Sequence, residues 1–178
     1  MFIRRSLSRF HTRVGLLAAA VTALSGGCPL GQINDTGGSG TTPTAAALFS
    51  QISQTDPYTA WDQFPEAKGV IASATPHGPM ARVFINDKVN AALSNFDGAL
   101  PDGSVIVKEN IGASSTDKAE NLTIMWKVAG FNPDAGDWFW AMITPEGSVL
   151  AEGAIASCIG CHGGARANDY VFLHAFVR

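Results

Sequence analysis

The stretch Leu122-Thr-Ile-Met-Trp-Lys-Val-Ala-Gly-Phe-Asn-Pro-Asp-Ala-Gly-Asp-Trp-Phe-Trp-Ala-Met-Ile143 reads as strand, turn and strand. In its first run Leu122, Ile124, Trp126 and Val128 fall on one face, and in its second Trp138, Trp140 and Met142 do so, which is the period of a β-strand. Between them, Gly130 to Gly136 carries Asn, Pro, Asp and two glycines, the chemistry of a turn. Working outward, residues 80–85 and 104–111 are further short runs rich in Val, Ile and Phe, and Pro101-Asp-Gly103 and Pro145-Glu-Gly147 are turn signals beside them. The expected fold is α+β, mainly an antiparallel β sheet with short flanking helices.

The helices are read from caps and apolar spacing. Thr42-Pro43 supplies a start, with Pro43 at the first helical position and Leu48, Phe49 and Ile52 forming a stripe. Asp56-Pro57 repeats the signal before Tyr58, Trp61 and Phe64, and Pro65 ends it. Asn86-Asp87 caps a helix carrying Val89, Ala92, Leu93 and Phe96. A last helix or turn, near the C-terminal end, holds Cys158 to His162, and residues 170–177 are apolar enough for a closing strand. No internal repeat is visible.

A chain of 178 residues, 46% hydrophobic and 15% charged, supports one domain with a real core. Arg4, Arg5, Arg9 and Arg13 precede all fifteen acids; without them eight basic residues face fifteen acidic ones, a net charge of −7, and nucleic acid is not an expected partner. That basic start, the apolar run from Val14 to Leu24 and the small residues up to Cys28 read as an export signal over 1–27. The run is shorter than the roughly 20 apolar residues a membrane span needs. Leu24-Ser-Gly-Gly-Cys28 is similar to a bacterial lipoprotein signal, with Ser25 where a branched apolar residue is usual, so Cys28 is the expected lipidation site. Arg4-Arg5 is an ordinary basic start, since the residues after it fit a twin-arginine signal poorly. Residues 28–44, rich in Gly, Ser, Thr and Pro, read as a flexible linker, which leaves 45–178 as the folded domain. The expected location is the periplasm or cell envelope, held by a lipid anchor.

The two remaining cysteines lie in Cys158-Ile-Gly-Cys161-His162. Two thiols followed directly by an imidazole are what covalent haem c attachment requires: each thiol adds across a vinyl group, and the histidine reaches the iron from the same segment. A redox disulfide and a zinc site are the alternatives. Zinc would need further ligands at matching spacing, which His77 and His174 do not offer. The residues after His162 include no methionine to serve as a second axial ligand, so any sixth ligand comes from elsewhere.

Pro101-Asp-Gly-Ser-Val-Ile-Val-Lys-Glu109, Trp126 to Trp140, Cys158 to His162 and Asn168-Asp-Tyr-Val-Phe172 together resemble the cytochrome P-460 family, in order and spacing, from about Trp61 to Phe172. The resemblance implies a mainly antiparallel β fold, usually a homodimer, with one covalently bound haem c whose iron has His162 as proximal ligand. It also implies relatedness to the cytochromes c′-beta, which bind nitric oxide and carbon monoxide. In catalytic members a lysine is bonded to the porphyrin edge and the open iron face oxidises hydroxylamine. Lys108 matches that lysine, and strand alternation puts it beside Ile106 on one face; an ordinary solvated edge lysine is the competing reading.

Other candidates have ordinary readings beside the functional one. His77, in a Pro-His-Gly-Pro turn, is a distal ligand, an acid-base group or a turn histidine. His174 is a second ligand or a packed side chain. Asp134 and Asp137 are distal proton acceptors or turn residues. Met125 and Met142 are iron ligands or core. Trp126, Trp138 and Trp140 are core or haem-pocket wall, and Arg82 and Arg166 are propionate partners or surface charge. Three functions share Cys158, Cys161 and His162: a haem oxidoreductase acting on a small nitrogen compound such as hydroxylamine, an electron-transfer cytochrome served by a redox partner protein, and a nitric oxide or carbon monoxide binding module.

Overall fold

Alternation of apolar side chains on strands that must bury both faces produces a six-stranded sheet with a layer on each side. The computed structural model describes residues 42–73, 76–113 and 118–176. The expected export signal over 1–27, Cys28, the expected linker up to residue 41 and Val177 lie outside them. The strands are β1 (Ile71–Ala72), β2 (Met80–Ile85), β3 (Val105–Ile111), β4 (Ala119–Lys127), β5 (Trp138–Ile143) and β6 (Val149–Gly153), each antiparallel to the next in chain order. The helices are α1 (Ala45–Ser50), α2 (Asp87–Ala92) and α3 (Ala156–His162). This is the α+β architecture the runs predict, with the C-terminal helix in place.

Register sorts the side chains into two cores. Val83, Lys108, Thr123 and Met142 form one cross-strand row, and Ile85, Ile106, Met125 and Trp140 the next. These rows face a core that includes Phe64, Val89, Phe96, Trp138, Tyr170 and Phe176, with Cys158 and Ile159 of α3 packed against it. On the opposite face Phe84, Val107, Ile124 and Phe139 pack with Ala45, Leu48 and Ile52 of the first helix. Met125 is therefore core.

Several elements differ from expectation for local reasons. Thr44, not the residue before Pro43, caps α1: its hydroxyl accepts the Ala47 N–H at 3.3 Å, and three alanines carry the helix from there. The helix then widens into a π turn over Gln51–Thr55, where the Ser53 hydroxyl bonds back to the Phe49 carbonyl at 2.6 Å. Asp56-Pro57 starts only a single 3₁₀ turn, Tyr58–Ala60. Asn86 caps α2 as expected, accepting the Val89 N–H at 3.3 Å, but the helix stops at Ala92 and Phe96 is buried from the loop beyond it.

Residues 170–176 form no strand. Asp169 and Tyr170 adopt positive φ of 50° and 67°, which turns the chain out of an extended path. Asn168 then ties the loop, its amide donating to the Val171 and His174 carbonyls and its oxygen accepting the Phe176 N–H. β1 and β6 carry no period-two signal of their own, being a two-residue strand and a run broken by Glu152.

Ile124, 1% exposed in the core beneath α1, is expected to cost about 2–5 kcal/mol when replaced by alanine. Leu150→Ala, at a position 55% exposed, should stay within about 0.5 kcal/mol of the parent in the same denaturant unfolding series.

Candidate functional site

His162 is the last residue of α3, and groups from three other segments lie around its ring. Trp140 of β5 lies with its ring centroid 4.7 Å away, Phe172 at 5.3 Å and His77 at 6.3 Å. Nδ1 of His162 is 2.7 Å from the Tyr170 carbonyl oxygen. A carbonyl only accepts, so Nδ1 carries the proton and donates, and the lone pair resides on Nε2. Cys158 lies one turn earlier on the same short helix and Cys161 directly before His162, both as free thiols, Cys158 half-buried and Cys161 exposed.

Lys108 joins this cluster from the sheet. It is half-buried, its Nζ donates to the Ser73 hydroxyl at 2.7 Å, and burial pushes its pKa down. Burial likewise lowers His162, opposed by its bond to Tyr170 and reinforced by the Lys108 charge. His77 is pushed down to about 4 by burial, then by the charges of Lys108 and His162. Burial raises the Cys158 thiol. Three nitrogen bases on separate elements thus share one half-buried space, where the Lys108 charge disfavours protonation of both histidines and His162 disfavours that of His77.

The remaining candidates divide. Trp140 and Trp138 are on the site face, whereas Trp126 is on the opposite one, packed against Phe139, because β4 alternates. It forms no wall of this site. Arg82 also points away: it pairs with Glu109, which also accepts the Tyr58 hydroxyl at 3.0 Å, on the face covered by α1. Arg166 is exposed on the turn after α3. His174 is a packed side chain, stacked on Phe64 at 5.5 Å and bonded to Glu66 at 2.7 Å. Asp137 accepts the Asn132 N–H at 2.9 Å and Asp134 is exposed, so both serve the β4–β5 turn. Met142 is half-buried in the row of Lys108. Sequence reasoning missed Ser73, the Tyr170 carbonyl and the role of Phe172 as a neighbour of His162; a backbone acceptor leaves no residue-type signal, though Asn-Asp before Tyr170 is a pair that tolerates left-handed backbone.

The chain belongs to the cytochrome P460 family, whose model matches residues 57–173. A comparison with curated proteins gives no match. Family membership implies a haem cofactor, and the residues present fit one. Nε2 of His162 is left with its lone pair, two unpaired thiols precede it, and the buried Trp140 indole N–H has no acceptor among the described residues. Among those residues no group of three or more His, Cys, Asp or Glu is arranged to hold a metal ion.

The His77 shift fixes a sign. Its folded pKa of about 4 lies below the ordinary 6.5, so the unfolded chain binds the proton first, and stability is complete above 6.5 and is lost as pH falls towards 4. The parent protein should therefore lose more thermal stability between pH 7.5 and pH 4.5 than His77→Gln does, measured by melting both at each pH.

Proposed function

We propose that this protein is an exported mono-haem c-type cytochrome that oxidises a small nitrogen compound such as hydroxylamine at an open haem iron. The observation that carries the reading is the His162 hydrogen bond to the Tyr170 carbonyl, which fixes the tautomer and aims a free Nε2 from the same helix that bears both thiols. Cys158 and Cys161 would form the thioethers and His162 would be the proximal ligand. When bound, the haem supplies an iron that takes electrons from the substrate.

The chain's own groups do the rest. Trp140 and Phe172 flank His162 and restrict its rotation and its access to water. Lys108, with its amine pushed towards the neutral, nucleophilic form by burial, is suited to a covalent bond with the porphyrin edge. His77, neutral at pH 7, is available to receive a substrate proton. Export to the periplasm with a lipid on Cys28, a homodimer and a redox partner protein that removes the electrons complete the proposal.

Expression with a c-type maturation system should give haem that survives acid-acetone extraction, and replacing Cys158 and Cys161 together by alanine should make it extractable. Intact mass should fall below that of a simple double thioether by the amine N–H and porphyrin-edge C–H hydrogens, which pass to an added peroxide, reduced to water, as the Lys108 N–C bond forms, with Lys108 found on the haem peptide. Lys108→Ala should restore an ordinary c-type spectrum and lower hydroxylamine oxidation roughly 10- to 100-fold. An unshifted mass and a spectrum indifferent to Lys108→Ala would leave gas binding or electron transfer as the function. A ferrous spectrum unchanged by carbon monoxide would select electron transfer.

A further inference from the structure

A buried ion pair outside the site reaches His162 through the backbone. Lys127 of β4 and Asp169, in the loop after α3, are 8% and 5% exposed, and the Lys127 ammonium lies 2.6 and 2.7 Å from the two carboxylate oxygens. The same ammonium sits 4.8 Å over the Trp138 ring. Asp169 is held on every side: Oδ2 also accepts the Leu100 N–H at 2.7 Å, and its main-chain carbonyl accepts the Trp138 indole N–H at 3.0 Å.

This bracing coincides with unfavourable backbone. Asp169 and Tyr170 are consecutive non-glycine residues at positive φ, a conformation disfavoured for L-residues and most of all for a bulky one. Such backbone persists only where its surroundings over-determine it. Gly136 adds to the fit, because a Cβ there would meet the Tyr170 ring at 2.7 Å. The carbonyl presented by this turn is the one that accepts the His162 Nδ1–H.

We propose that Lys127 and Asp169 are positioning residues for the proximal histidine: their ion pair holds the 169–170 backbone so that the Tyr170 carbonyl polarises His162. The proposal rests on the reading of His162 as the haem ligand. An acceptor on Nδ1–H raises the basicity of Nε2 and so favours ferric over ferrous iron. A pair kept only for stability has no such effect, and neutral residues of similar volume often replace a buried pair without loss of stability.

The test uses the haem-loaded protein and two readouts, the ferric/ferrous equilibrium and the iron–histidine stretching band of the ferrous form. The double variant Lys127→Met with Asp169→Asn leaves no lone buried charge; it should shift the equilibrium about tenfold towards ferrous iron, ~59 mV for one electron, and lower the stretching band. Lys127→Arg, which keeps the charge pair, should retain the parent values. Trp138→Phe removes the indole donor to the Asp169 carbonyl together with the indole face beneath the Lys127 ammonium, keeps the ion pair itself, and should move both readouts the same way by less. A folded double variant with parent values overturns the proposal; should that variant not fold, parent values in Trp138→Phe overturn it. His162→Ala with an unchanged spectrum would remove the ligand reading itself, a failure distinct from that of the ion pair.

Discussion

Because β3 is covered on both faces, a slip of one residue in its pairing with β2 and β4 would carry Glu109 into the apolar side of the site and turn Lys108 towards the first helix. Glu109 is held on its own side by Arg82 and by the Tyr58 hydroxyl, and burial, the Glu109 charge and its hydrogen bond together push the Tyr58 pKa upward. Opposite placement of an anion and a cation on one strand therefore locks the register from both faces. Everything that meets at His162 from the sheet, Trp140 included, inherits its position from that alignment.

The site's electrostatics follow from crowding bases where water is scarce. Lys108, His77 and His162 all shift towards their neutral forms, chiefly through burial. Neutral nitrogen is what a metal ligand, a nucleophilic amine or a proton acceptor requires, so one physical cause suits all three groups to the roles proposed for them. The neighbouring Trp140, Phe172 and Ile159 supply apolar surface without competing charge.

Much of this was legible in the residues. Period-two alternation located β2, β3, β4 and β5, and Asn86 announced α2, because those signals are local and strong. Cys158, Cys161 and His162 were legible because their spacing is chemical. The placement of Trp126 and Arg82 on the far face was implicit in the alternation, but one strand read alone has no inside or outside until its neighbours are aligned. The loop after α3 departs from the strand its composition predicts because apolar side chains are satisfied as well by an irregular segment, once Asn168 and Asp169 absorb the backbone bonds that a ladder would make. The acceptor for His162 is a main-chain oxygen, which no residue-type pattern can single out.

The two edges of the sheet are closed in different ways. β1 is only two residues long, too short to template another chain. β6 is longer and exposes Val149 and Leu150, yet its pairing is interrupted by a bulge at Met142 and Ile143, and Glu152 accepts the Ala45 N–H at the start of α1 at 2.6 Å. A charged residue on the border strand, spent on tethering a helix across it, makes strand addition costly. The same contact that anchors α1 thus guards the chain against edge-to-edge aggregation.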